Sequence, residues 1–167
     1  SEISLKKKDI RLDKFISKAL YKNQGYYINK KVLGKKNDFI TAPEISQMYG
    51  EIIGLYFFYF WKTKINSKFN FIELGPGNGT LFIDISKSLY KYSDFFENAK
   101  IKFIEINKNF IKIQKEKIKK IYPNAKWAKT INFNYKNPSI IYSNEFFDCF
   151  PVRQFVFKNS WFEKYIS

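Results

Sequence analysis

At 167 residues, with 45% hydrophobic and 20% aromatic content, the chain carries enough apolar side chain to bury a core and is expected to be globular rather than disordered. Its formal charge of +15 comes from 30 basic residues of which only Arg11 and Arg153 are arginine. Nucleic-acid readers favour arginine forks, so a solvated lysine surface is expected and nucleic acid is not the expected main partner. With no histidine and one cysteine, Cys149, the sequence excludes zinc sites built on N and S ligands, Ser–His nucleophiles and disulfides; Cys149 is expected to be a buried structural thiol in a reducing compartment.

Ser1 to Asp9 is polar and lysine-rich, without the apolar centre of a secretory signal. Apolar residues at Leu12, Phe15, Ile16, Ala19 and Leu20 keep a helical period and predict a short amphipathic helix ending near Lys22. A polar and aromatic loop is expected from Asn23 to Phe39, with turns at Gly25 and Gly34. Thr41-Ala42-Pro43-Glu44 then has the pattern of a capped helix start, with Thr41 as the cap and Glu44 three residues on. That helix is expected to run to Trp61. Its apolar residues, among them Ile45, Met48, Ile52, Leu55, Tyr56 and Tyr59, cover more than one face and predict burial on several sides. The most apolar run, Ile52–Trp61, is ten residues long and flanked by Glu51 and Lys62, too short to span a bilayer.

The remainder alternates: strand 70–74, helix 80–90, strand 101–107, helix 108–122, strand 126–131 and strand 139–146, with a hairpin starting at Gln154. Alternation of this kind predicts an α/β fold with a parallel sheet, whose ligands sit at the carboxyl ends of strands. Serine at position 1 and the unfinished look of the hairpin suggest a piece of a longer protein.

One such strand end is Phe71-Ile72-Glu73-Leu74-Gly75-Pro76-Gly77-Asn78-Gly79-Thr80. Three alternating glycines allow tight turns and close ligand approach, and the N–H groups at the start of the following helix suit an anionic group. A phosphate-gripping P-loop needs Lys and Ser/Thr after the last glycine, whereas Leu81 and Phe82 follow Thr80. A dinucleotide fingerprint wants glycine or alanine where Thr80 stands, which weakens that reading and leaves it open. The form that remains, acid-x-Gly-x-Gly-x-Gly, resembles motif I of class I S-adenosylmethionine-dependent methyltransferases, set against a structural strand-to-helix turn.

Glu105 lies 26 positions after Gly79, near the end of the next strand, where these folds place the acid that accepts ribose hydroxyls. Glu73 could hold the glycine loop or receive a cofactor ammonium. Farther on, Asn144, Glu145 and Asp148 gather polar groups at the sheet's ligand edge. Asn144 could bond a substrate or cofactor, and Glu145 and Asp148 could pair with a cationic acceptor or take its proton. The plain alternative is a capped turn, with Asp148 bonded to its own backbone or to Arg153.

Taken together, several segments resemble the MidA-like methyltransferases, whose mitochondrial members include a complex I assembly factor acting as a protein arginine methyltransferase. They are Ala19-Leu20-Tyr21 with Gly25-Tyr26-Tyr27, Asp38 through Gln47, Glu73 through Thr80, Glu105-Ile106, and Asn144 through Gln154. The resemblance implies a Rossmann-like class I methyltransferase sheet, incomplete at its C-terminal end, over residues 67–167, with an N-terminal helical extension over 1–66 of a single domain. It implies S-adenosylmethionine as cofactor, lying over the loop of Gly75, Pro76, Gly77, Gly79 and Thr80 with Glu105 on the ribose, and a pocket partly covered by Asp38–Gln47. It further implies a protein substrate, of the type of a respiratory complex I subunit, methylated on arginine with Glu145, Asp148 and Asn144 on the acceptor side. The implied location is the cytoplasm of a bacterium or the mitochondrial matrix of a eukaryote. Asn78 stands where many relatives carry a basic residue, and Asn107 where they carry serine. Two rival readings are a nucleic-acid methyltransferase that uses the lysine surface, and a non-catalytic assembly factor that binds partners through aromatics such as Tyr26 and Tyr27.

Overall fold

The computed structural model describes residues 9–21 and 42–167. The expected loop over 23–39, its Tyr26 and Tyr27, the Thr41 cap and the first part of the covering segment lie outside the described residues. The chain divides into two compact units, one of residues 1–30 and 146–167 and the other of residues 31–145.

In the first unit, strand β1 (Ile10–Arg11) leads directly into helix α1 (Leu12–Tyr21). The helix follows the expected apolar period up to Tyr21, the last described residue there, with Asp13 in its first turn favourable to its dipole. Arg11 pairs with Asp13 at 2.6 Å, and this hydrogen bond holds the Asp13 carboxyl down at about 2.

The second unit begins with the short helix α2 (Ala42–Ile45) and helix α3 (Gln47–Phe60). The single helix expected from Thr41 to Trp61 is thus broken: Ser46 is extended at φ −139 and ψ 118, and the chain restarts as a new helix at Gln47. Helix α3 runs into a π-helical turn at Trp61–Ile65, which ends where Asn66 takes a left-handed conformation at φ 45 and its N–H bonds the Trp61 carbonyl at 2.7 Å.

A larger correction concerns which face of α3 is buried. Ile45, Met48, Ile52, Leu55, Tyr56 and Tyr59 are all exposed, Ile45 at 74% and Tyr59 at 66%. The inward face is instead the stripe Tyr49, Gly50, Ile53, Gly54, Phe57, Phe58 and Trp61, which also keeps a helical period. A segment that is apolar all round cannot say which stripe faces the core. The two glycines decide it, because they let α3 approach the next helix closely. A Cβ at Gly50 would stand 2.6 Å from Asp84 Cβ, and one at Gly54 would stand 3.2 Å from the Ile85 backbone. Gly50→Val is expected to destabilise the protein by about 2–3 kcal/mol through overpacking, read as a lower urea midpoint with unchanged slope.

Strand β2 (Phe69–Leu74), helices α4 (Thr80–Ser88) and α5 (Ser93–Asn98), strand β3 (Ala99–Ile104), helix α6 (Lys108–Ile118), and strands β4 (Lys126–Ala128) and β5 (Ser139–Ser143) complete the unit. The four strands form one parallel sheet in the order β4-β3-β2-β5, confirming the expected α/β class. Helix α5, which lies in the expected connection between helix 80–90 and strand 101–107, packs Phe95 fully into the core. The three later strands end earlier than predicted, at Ile104, Ala128 and Ser143, so Glu105 and Asn144 each stand just past a strand's carboxyl end.

The central strand β2 is buried along almost its whole length, as a parallel strand covered on both faces should be. Phe71 sits among the rings of Phe57, Phe69, Phe82, Phe95 and Tyr142, with centroids between 4.8 and 6.3 Å away. Asn70, polar and buried, is satisfied by the carbonyls of Asn137 and Pro138 and the Ser139 hydroxyl, which ties down the entry to β5.

In the first unit the hairpin expected from Gln154 is present as β6 (Phe155–Phe157) and β7 (Trp161–Glu163), and strand β8 (Tyr165–Ile166) then pairs antiparallel with β1. Arg153 grips Glu163 through two bonds of 2.7 and 2.8 Å. Cys149 is half-buried rather than buried, in a 3₁₀ turn over Phe147–Cys149 whose Cys149 carbonyl accepts from the Tyr21 hydroxyl at 2.6 Å. No helix among the described residues is long and apolar enough to cross a membrane.

Candidate cofactor site

The chain reverses its direction of growth across the sheet beside β2: β3 and β4 are added on one side and β5 on the other. The carboxyl end of β2 therefore lies at a topological switch point, where open parallel sheets leave a crevice. The glycine loop fills this position. Gly75, Gly77 and Gly79 all have positive φ, at 60, 54 and 76, a region that strains any residue with a Cβ.

The loop is fixed from below. The Gly75 N–H donates to the Ile104 carbonyl at 2.9 Å, and the Gly79 N–H to the Pro76 carbonyl at 2.8 Å. Gln114, fully buried on α6, donates to the Gly77 carbonyl at 2.7 Å, and its own oxygen accepts from Trp127 Nε1 at 2.8 Å. The sequence reading missed Gln114. The signal was a polar residue on the stripe Phe110, Gln114, Ile118, which α6 turns inward.

Glu73 is the penultimate residue of β2, with its carboxyl buried, and the Tyr142 hydroxyl on β5 donates to Oε2 at 3.2 Å. Loss of hydration pushes Glu73 up to about 8, with the nearby Glu105 carboxyl adding to the rise. Glu105 is buried one residue past β3, and its Oε1 accepts the N–H groups of Ile106 and Asn107, both at 2.8 Å. Burial raises Glu105 as well, while those two N–H groups and Gln114 pull the other way. Asn107 caps α6 through the N–H groups of Asn109 and Phe110, the work that serine does in many helices.

The hollow above the loop is lined by Pro43, Glu44, Glu73, Gly75, Pro76, Gly77, Asn78, Thr80, Leu81 and Asn144. Asn144 is held there by Tyr49 on α3, whose hydroxyl donates to Oδ1 at 2.9 Å. Glu145 and Asp148 are not among the lining residues. Glu145 is exposed, with a left-handed backbone at φ 49, and Asp148 is exposed in the 3₁₀ turn of the first unit, where Arg153 pairs with Glu163. Glu44 Oε1 accepts from Asn78 Nδ2 at 3.2 Å and from the Thr80 hydroxyl at 2.8 Å, while the Thr41 end of the expected capping box lies outside the described residues. Among the described residues no group of acids and cysteine could hold a metal ion.

A glycine loop at the switch point, with buried acids at the ends of two adjacent parallel strands, defines an α/β domain that binds a nucleoside cofactor. Among the described residues the lining contains two carboxyl groups and no lysine or arginine, a poor match for a pyrophosphate and a good one for a cofactor bearing positive charge. That chemistry disfavours the dinucleotide alternative and fits S-adenosylmethionine, whose sulfonium and ammonium are both cationic.

Residues 52–167 match a family described as "Putative S-adenosyl-L-methionine-dependent methyltransferase", and the chain belongs to it. It is 33% identical over 156 residues to the bovine mitochondrial protein arginine methyltransferase NDUFAF7, an alignment covering 79% of this chain and 35% of that protein. The human protein of the same name is 33% identical over 155 residues, again 79% and 35%, and the Drosophila melanogaster homologue 32% over 151 residues, 78% and 34%. The chain thus spans about a third of the length of these relatives. In fold it resembles a Burkholderia thailandensis protein crystallised with S-adenosyl-homocysteine, with a TM-score of 0.75 and 18% identity over 95% of this chain and 42% of that one.

Proposed function

We propose that the chain is the cofactor-binding part of an S-adenosylmethionine-dependent methyltransferase that modifies arginine on a partner protein. The observation that carries this reading is the glycine loop of positive φ at the switch point, with the buried acid Glu73 and the partly buried acid Glu44 among the described residues that line the hollow above it. The names of its relatives support the arginine acceptor. A respiratory complex I subunit is the proposed partner, with the mitochondrial matrix as the location in a eukaryote and the cytoplasm in a bacterium.

Bound S-adenosylmethionine would supply a methyl group already activated by the sulfonium. Gly75, Pro76, Gly77, Gly79 and Thr80 would seat its aminoacyl end, Glu73 would face the ammonium, and Glu105 the ribose hydroxyls. Asn144 would orient the acceptor. Glu145, which follows Asn144, would hold the guanidinium through paired hydrogen bonds and take its proton as the new N–C bond forms and the methyl–sulfur bond breaks. Arginine keeps its proton tightly, so a positioned carboxylate is what this acceptor needs most.

Incubating the full-length protein with methyl-labelled S-adenosylmethionine and cell extract, then locating label by mass spectrometry, tests the reading. Label on arginine of a protein is the expected result. Label on RNA, or cofactor bound with no transfer at all, would reject it.

A further inference from the structure

We propose that Glu44 is a specificity-determining residue of the cofactor site: its carboxylate ties helix α2 to the glycine loop and makes the site prefer the cationic methyl donor over the uncharged thioether product. This rests on the methyltransferase reading given above. Glu44 Oε1 accepts one bond from Asn78 and one from Thr80, the residues on either side of Gly79, so a single oxygen braces the turn that starts α4. Pro43, buried, anchors the segment that presents it. These bonds reach 34 and 36 positions along the chain, and a local cap would not need them.

The charge argument is separate from the bracing. Transfer of the methyl group turns a sulfonium into a neutral thioether, so donor and product differ by one positive charge and one carbon. A pocket can read that difference with a nearby negative charge more readily than with shape. Of the two acids among the described lining residues, Glu73 is buried and held toward its neutral form, whereas Glu44 is only partly buried beside the loop. Glu44 is therefore the lining acid best placed to favour donor over product and so to assist product release.

The test is calorimetric binding of S-adenosylmethionine and of S-adenosyl-homocysteine to full-length wild-type protein, Glu44→Gln and Glu44→Ala. Glutamine keeps an oxygen for Asn78 and Thr80 but removes the charge. It should weaken the donor by about five- to tenfold while leaving the product within about twofold. Alanine also removes the brace and should weaken both ligands. An unchanged donor-to-product ratio in Glu44→Gln would overturn the proposal, as would unchanged binding of both ligands in Glu44→Ala. If wild-type protein binds neither ligand, the methyltransferase reading itself fails, a result distinct from wild-type binding with an unaltered ratio.

Discussion

Gly77→Val is expected to abolish cofactor binding while the sheet stays folded. Gly77 has φ 54, and a β-branched side chain there meets a left-handed backbone that costs about 1–2 kcal/mol for any L-residue and more for a branched one. The loop cannot relax freely, because Gln114 holds the Gly77 carbonyl from below at 2.7 Å. The new methyl groups also stand in a hollow whose lining includes Gly77 itself. Strain and steric exclusion act together, so affinity for S-adenosylmethionine should fall by more than about 100-fold. Far-UV circular dichroism should match wild type, since the bond that ties the loop to the sheet is made by Gly75, to the Ile104 carbonyl, and not by Gly77. Unchanged affinity by calorimetry, with the fold intact, would remove the glycine loop from the site.

Glu73 gives the second large effect, on pH dependence. Its carboxyl is raised from an ordinary 4.5 to about 8, so between these values the folded protein holds a proton that the unfolded chain has released. The stabilising contribution is fully present below 4.5, is lost as pH rises, and is gone above 8. For so deeply buried a group the loss is on the order of 4 kcal/mol. Glu73→Gln keeps an acceptor for the Tyr142 hydroxyl without the titration. The variant should therefore melt at nearly the wild-type temperature at pH 4 and well above it at pH 9, with part of the gap already open at pH 6. If both proteins lose stability alike over that range, Glu73 is not the group responsible. A cation docking beside Glu73 would expel the same proton, so wild-type cofactor affinity should increase with pH by up to about tenfold per unit below 8.

Apart from helix α5, the order of strands and helices of the sheet was legible from residue 69 onward because hydrophobic period and glycine placement are local properties. Acid-x-Gly-x-Gly-x-Gly after an apolar run left little freedom for anything but a strand, a loop and a helix, and the three positive φ angles agree with it. Strand ends were less legible. Glu105 and Asn144 look continuous with their strands in sequence, yet each follows a strand that stops when its neighbours stop pairing. Helix α5 was invisible because six residues with two adjacent phenylalanines carry no clear period.

Helix α3 marks the boundary most sharply. Two apolar stripes run along it, each with helical spacing, and composition ranks them equally. Two glycines, each without a Cβ, let the backbones of α3 and α4 close together on one side, and that contact chose the buried stripe and left Met48, Ile52 and Tyr59 outside. The chemistry of the site divides in the same way. Which residues bend at the loop and which acids lie near it follow from local sequence, since a turn of positive φ admits few residues but glycine. That Glu44 braces the loop, that Gln114 supports it, and that burial keeps the Glu73 proton on near neutral pH depend on neighbours 34 to 69 positions away, which only the packed chain brings within bonding distance.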